Sequence, residues 1–222
     1  RQMRCELGKD ACNVHLTYLP YLKAADELKT KPTQHSVKEM QGMGIQPDVL
    51  ILRTEKHLDQ AILLKVANFC NVAPDCVVQS EDLPSIYEVP VNMHRQGLRA
   101  AILRRLQLPV GETPALGPWR NFLERMHHAT LETHIALVGK YDLQDAYKSI
   151  REALVQAGIY NDRKVRLHFV NSEHLNEENI EESLEGMAGV VICPGFGQRG
   201  IEGKILAAQY TRTHDIPTFG IC

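Results

Sequence analysis

Two unbroken apolar runs, DVLIL (48–52) and GVVIC (189–193), limit the fold more than any other feature of the chain. Neither alternates with polar residues, so each reads as a strand covered on both faces, as in parallel sheets flanked by helices. Their surroundings have the matching rhythm. NVHLTYL (13–19) reads as a strand with Val14, Leu16 and Tyr18 on one face. HSVKEMQGMG (35–44) reads as a short helix stopped by glycines, and LDQAILLKVANFC (58–70) as a longer one. CVVQS (76–80) is a short strand, and GLRAAILRRLQL (97–108) a helix with its arginines on the wet face. After residue 133 the alternation resumes. Strands are expected over 134–141, 164–170, 189–193 and 218–222, with helices over 146–158, 172–186 and 201–212. Gly158 is expected to cap the helix it ends. Repeated strand–helix–strand units predict an α/β chain with two parallel-sheet domains. Between them, PVGETPALGP (109–118) holds three prolines and two glycines and reads as a linker. WRNFLERMHHATLE (119–132) reads as a connecting helix. The expected boundaries are therefore 1–108, 109–132 and 133–222.

Composition narrows the class. A net charge of −2 argues against a general nucleic-acid binder. No apolar run approaches the roughly 18 residues that span a bilayer, and residues 1–12 lack a signal-peptide core. The six cysteines show no metal-type CxxC spacing and form no disulfide framework in a chain this long. A reducing, cytoplasmic setting is expected. The chain lacks an initiator methionine and stops on a strand-like run, so it reads as an internal piece of a longer polypeptide.

Ligands of open parallel sheets bind beyond the carboxyl ends of the strands. That rule selects VGKYD, CPGFGQRG and the terminal GIC. The glycines of CPGFGQRG (193–200) serve either as a flexible strand–helix turn or as exposed N–H groups for an oxyanion. Cys222 is either a buried structural thiol or a nucleophile at a strand end. The pairing of the two features about 25 residues apart brings both to one sheet edge. In the first half, Lys29 and Lys31 alternate, so in an extended loop they point the same way. Two ammonium groups there suit a triphosphate, with Thr30, Thr33 and Gln34 adding hydrogen bonds; a solvated basic loop is the alternative.

PGFGQRGIEGKILAAQYTRTHDIPTFGIC resembles the first half of a class I glutamine amidotransferase domain. GKYDLQDAYKSIREAL and LKTKPTQHSVKEMQGMGIQPDVLILR narrow the likeness to the CTP synthase family. The resemblance implies a Rossmann-like synthetase part followed by a class I glutaminase part. It implies Cys222 as the catalytic nucleophile, Gly195 and Phe196 in the glutamine-binding turn, and Gly195 at an oxyanion-hole position. Lys29, Thr30, Lys31, Pro32, Thr33, Gln34 and Lys65 would contact UTP, and CTP as inhibitor. Arg53 would pack on the adenine of ATP, with Glu81, Asp82 and Leu83 beside it. Arg199, Glu202, Lys140, Tyr141 and Lys148 fall in stretches linked to GTP activation. Pro194 stands where the family often has a glycine, which removes one backbone donor but spares that of Gly195. The implied reaction is ATP-dependent amination of UTP by ammonia from glutamine. Magnesium would bridge the ATP phosphates, with its ligands outside this segment and no metal site within it. The implied assembly is a homotetramer, possibly filamentous. The base for the thiol and the phosphate loop would lie outside residues 1–222, so the segment alone is expected to be inactive. A non-catalytic nucleotide-binding or assembly module, and the glutaminase of another amidotransferase, are the competing readings.

Overall fold

DVLIL lies at the centre of a three-stranded parallel sheet in a computed structural model that describes residues 1–112, 116–141 and 146–222. Contacts divide the chain into two units, Arg1–Leu116 and Gly117–Cys222. The first unit runs α1 (Gln2–Leu7), β1 (Val14–Tyr18), a small antiparallel pair β2 (Tyr21–Leu22) and β3 (Glu27–Leu28), then α2 (Lys31–Gly42) and β4 (Val49–Thr54). It continues through α3 (Gln60–Cys70), β5 (Val77–Glu81), α4 (Val89–Arg95) and α5 (Leu98–Arg105). The sheet order is β1-β4-β5, all parallel.

Local chemistry sets these boundaries. Asp59 caps α3, its carboxylate accepting from the Ile62 N–H at 2.8 Å, and Asn71 ends the helix in the left-handed region at φ 53°. On one face of the sheet, Leu50, Leu52 and Val77 pack with Val37 of α2 and Val66, Ala67 and Cys70 of α3. The residues that alternate with these point the other way. Leu16 pairs with Ile51 on that opposite face and is 63% exposed, with Val14 and Tyr18 also exposed. The shared face expected for β1 is thus real, but the buried residues of this segment are Thr17 and Leu19.

The second unit runs α6 (Gly117–His128), β6 (Leu131–Gly139), α7 (Lys148–Tyr160), β7 (Arg163–Asn171), α8 (Ile180–Leu184), β8 (Gly189–Ile192), α9 (Ile201–Thr213) and β9 (Thr218–Gly220). Its parallel sheet has the order β7-β6-β8-β9. Along β6, Ala136 and Val138 join Leu184 of α8 and Ala207 of α9, whereas Leu137 joins Ile150 and Leu154 of α7. Strict alternation on a strand covered on both faces explains the continuous apolar sequence.

Four local expectations need correction. The helix expected over 172–186 is confined to 180–184, because Asn176 and Asn179 side chains accept backbone N–H groups and hold turns before it. Gly158 is not a cap. It lies inside α7, where an added Cβ would meet Val165 Cγ2 at 2.4 Å, and Asn161 is the cap residue. Arg105 turns inward to pair with Asp48 and keeps only part of its side chain in water. The linker expected over 109–118 includes residues 113–115, outside the described residues, and its last two residues already belong to α6.

Candidate functional site

In the first unit, α2 begins earlier than its sequence suggests. Lys31 is its first residue and Thr30 its N-cap, so Lys29 and Lys31 do not share an extended loop. Pro at the second helical position is preorganised for this start and loses no needed donor. The helix start nevertheless brings Lys29, Thr30, Lys31 and Gln34 to the rim of one cavity of about 500 Å³, together with Lys65 and Phe69 of α3 and Glu27 of β3. Gln34 Nε2 donates to Thr30 Oγ1 at 3.1 Å, and Lys29 is ion-paired with Glu27. Three ammonium groups face a single carboxylate beside a helix N-terminus, an arrangement that favours a polyanion. Two other expected residues stand apart. Thr33 is fully buried and donates to the Tyr18 carbonyl at 2.9 Å, tying α2 to β1; Pro32 is exposed and does not line the cavity.

Arg53, Glu81 and Asp82 gather at the carboxyl end of β4 and β5. Arg53 pairs with Asp82, and the Asp82 N–H donates to the Thr54 carbonyl at 3.1 Å. Glu81 Oε2 lies 3.5 Å from His57 Nδ1, and Leu83 is half-buried just beyond.

In the second unit, parallel neighbours β6, β8 and β9 end on the same edge. Val138 pairs with Ile192, and Ile192 with Gly220. The 193–200 turn follows β8, and Cys222 follows β9 two residues past the paired Gly220. Cys222 is an exposed free thiol. Phe196 is 90% exposed. Gly197 and Gly200 hold φ of +83° and +74°, where side chains are disfavoured. The other cysteine at this edge behaves differently. Cys193 is buried, and burial pushes its thiol up to about 11 despite the opposing charge of Lys204.

Lys140, expected in a GTP-linked stretch, lies under the turn with 5% of its surface exposed. Its Nζ donates to the Phe196 carbonyl, and a Cβ on Gly195 would approach its Cε to 2.8 Å. Arg199 pairs with Glu173 at 3.1 Å and sits 5.7 Å from the Tyr141 ring centre. Glu202 is exposed in the first turn of α9, and Lys148 is exposed at the start of α7. Residues 142–145, inside the GKYDLQDAYKSIREAL stretch, lie outside the described residues. Sequence reasoning missed Glu27, Phe69, Tyr147 and Lys204. Glu27 carried a signal, since it alternates with Lys29 on the same short strand-like segment. Among the described residues, no group of three His, Cys, Asp or Glu side chains is placed to hold a metal ion. No described helix is long and apolar enough to cross a membrane.

Residues 142–222, which carry the glycine turn and the exposed thiol, match the family described as glutamine amidotransferase class-I. Residues 1–108 match the family described as CTP synthase N-terminus. The whole chain is 68% identical to a CTP synthase of Bacteroides thetaiotaomicron, 56% to one of Porphyromonas gingivalis and 50% to one of Flavobacterium johnsoniae. These relatives are all CTP synthases, and the likeness to them runs along the whole of this chain. The chain spans 41–42% of the length of these relatives. A solved glutaminase domain of a Trypanosoma brucei CTPS with bound acivicin is 35% identical over 40% of this chain and 35% of that chain, with a TM-score of 0.37.

Proposed function

We propose that this chain contributes to an enzyme making CTP from UTP, ATP and glutamine, its first unit to the amination of UTP and its second to glutamine hydrolysis. One observation carries the reading: Cys222 and the 193–200 turn extend from carboxyl ends of neighbouring parallel strands. The Cys222 thiolate attacks the side-chain amide carbon of glutamine, forming a C–S bond while the carbonyl pair moves onto oxygen. N–H groups of the turn, that of Gly195 among them, stabilise this oxyanion. The C–N bond then breaks, nitrogen takes a proton and ammonia leaves. Water hydrolyses the thioester to glutamate and restores the thiol.

In the first unit, Lys29, Lys31 and Lys65 hold the triphosphate of UTP, with Thr30 and Gln34 as hydrogen-bonding partners. Thr33 anchors the helix start, and Pro32 shapes it. Arg53 offers a planar cation to the adenine of ATP, with Glu81, Asp82 and Leu83 alongside. Magnesium would arrive on the ATP phosphates; the described residues supply no ligand set for it, and no step here passes through it. GTP activation through Arg199, Glu202, Tyr141 and Lys148, assembly as a homotetramer and a cytoplasmic location are the further elements of this proposal.

The test uses the full-length protein. A glutamine-analogue electrophile should label Cys222 alone, and the labelled enzyme should lose glutamine-dependent CTP formation. Labelling elsewhere, or wild-type CTP formation with Cys222 blocked, would refute the reading.

A further inference from the structure

The carbonyl groups of the 193–196 turn are held by side chains from three different parts of the second unit. Lys204 Nζ, on α9, donates to the Cys193 carbonyl at 2.8 Å. Tyr147 Oη, just before α7, donates to the Pro194 carbonyl at 3.3 Å. Lys140 Nζ, just after β6, donates to the Phe196 carbonyl. The donors are themselves held. Tyr147 is buried over Gly139, where an added Cβ would come within 2.7 Å of its hydroxyl. The Lys140 stem is wedged under Gly195.

Among the described residues, the N–H groups of Gly195, Phe196 and Gly197 donate to no backbone carbonyl. A peptide unit is planar and trans, so its C=O and N–H point in opposite directions. The carbonyl of Pro194 belongs to the same unit as the Gly195 N–H, and that of Phe196 to the same unit as the Gly197 N–H. Drawing both carbonyls onto Tyr147 and Lys140 turns both N–H groups away from those donors. A buried ammonium is costly unless it is hydrogen-bonded, so Lys140 has a strong reason to keep its carbonyl.

We infer that Lys140 and Tyr147, with Lys204 anchoring the Cys193 carbonyl where the turn begins, form a carbonyl clamp that preorganises the Gly195 and Gly197 N–H groups for the oxyanion of glutamine hydrolysis. The inference rests on the glutaminase reading of Cys222. Lys140 acts here as a positioning residue: it touches the turn, not the substrate. Preorganised donors act on charge that develops in the transition state, so loosening them lowers kcat more than it raises KM.

The experiment compares Lys140→Met, Lys140→Arg and Tyr147→Phe in the full-length protein. Two rates are measured on each preparation, glutamine hydrolysis and CTP formation from free ammonia, the second of which bypasses the thiol. Lys140→Met should lower kcat for glutamine by about tenfold to hundredfold, less than the loss of an oxyanion donor itself, while KM moves by less than about threefold. Its ammonia-dependent rate should match wild type. Lys140→Arg, which keeps a cationic donor, should recover part of the loss, and Tyr147→Phe should show a smaller fall of the same kind. The clamp is overturned if Lys140→Met keeps wild-type kcat for glutamine, or if both rates fall together as in a folding defect. A wild-type protein without glutamine hydrolysis but with ammonia-dependent synthesis would instead overturn the functional reading beneath it.

Discussion

Gly203, in α9, shows how one missing side chain can position a helix. A Cβ at this position would lie 1.9 Å from the Ser172 backbone carbonyl oxygen, which cannot rotate aside. Alanine favours helix over glycine by about 1 kcal/mol, but overpacking against backbone costs about 1–3 kcal/mol or more. Gly203→Ala should therefore lower stability by about 1–2 kcal/mol, seen as a lower denaturant midpoint. Gly42→Ala in α2 meets no atom within 4 Å and should be neutral or stabilising by up to about 1 kcal/mol in the same assay. The thiols make a second contrast. Native protein treated with iodoacetamide near neutral pH should be alkylated at exposed Cys222 and Cys5, while buried Cys70 and Cys193 react only after unfolding. A Cys193 thiol pushed up to about 11 has almost no thiolate at neutrality; fast modification of Cys193 in folded protein would contradict the burial described above. The sequence marked both Cys193 and Cys222 as strand-end cysteines. Their opposite environments come from tertiary packing: Cys193 is covered by the residues around Leu137, Tyr147 and Val191.

Asp48, just before β4, ties α1, α5 and the chain ahead of β1 together. Its carboxylate accepts from Arg4 on α1 at 2.6 Å, from Arg105 on α5 at 2.5 Å and from the Asn13 N–H at 2.8 Å. Burial works to raise its pKa, but the hydrogen bonds from Arg4, Asn13 and Arg105 outweigh it and the net shift is downward. A depressed carboxylate adds stability in full above its unfolded pKa, near pH 4, and loses that contribution as pH falls through the folded value. Asp48→Asn should cost about 2–3 kcal/mol at neutral pH, short of a fully buried pair because both guanidinium groups keep some contact with water. The deficit should shrink as pH drops below about 4, when wild type and variant are compared by urea denaturation. A deficit that stays constant down to pH 2 would remove Asp48 from the account. The helix over 97–108 was legible from its apolar spacing, but Arg105 was misread as solvated. Periodicity assigns residues to a face; it does not reveal a carboxylate 57 positions away waiting on that face.

For the molecule as a whole, the candidate sites divide between two units with separate cores. The lysine-rimmed cavity draws its residues from β3, α2 and α3, and the thiol and its turn draw theirs from the second unit. In the full-length protein, Lys65→Ala should raise KM for UTP by about tenfold or more, the scale of one charged contact, without changing glutamine hydrolysis. Cys222→Ser should abolish glutamine-dependent synthesis and leave synthesis from ammonia intact. Steady-state kinetics with each nitrogen source check both. A Lys65 variant that hydrolyses glutamine poorly, or a Cys222 variant that cannot use ammonia, would show that the two chemistries are not separable in this way.

Strand runs such as 48–52 and 189–193, helix stripes and the strand-end position of Cys222 were readable because burial on both faces imposes a local pattern on the residues. The family likeness was readable for a related reason: the residues that carry it form contiguous stretches, KTKPTQHS and PGFGQRG among them. Other features required the folded chain. Lys65 meets Lys29 and Lys31 because α3 packs beside α2; Leu16, on the edge strand β1, faces solvent while α2 and α3 pack on the opposite side of the sheet. Lys140 becomes a buried donor only when β8 carries the glycine turn over it. A sequence pattern records which side of an element avoids water, and contacts between elements distant in the chain leave no such trace.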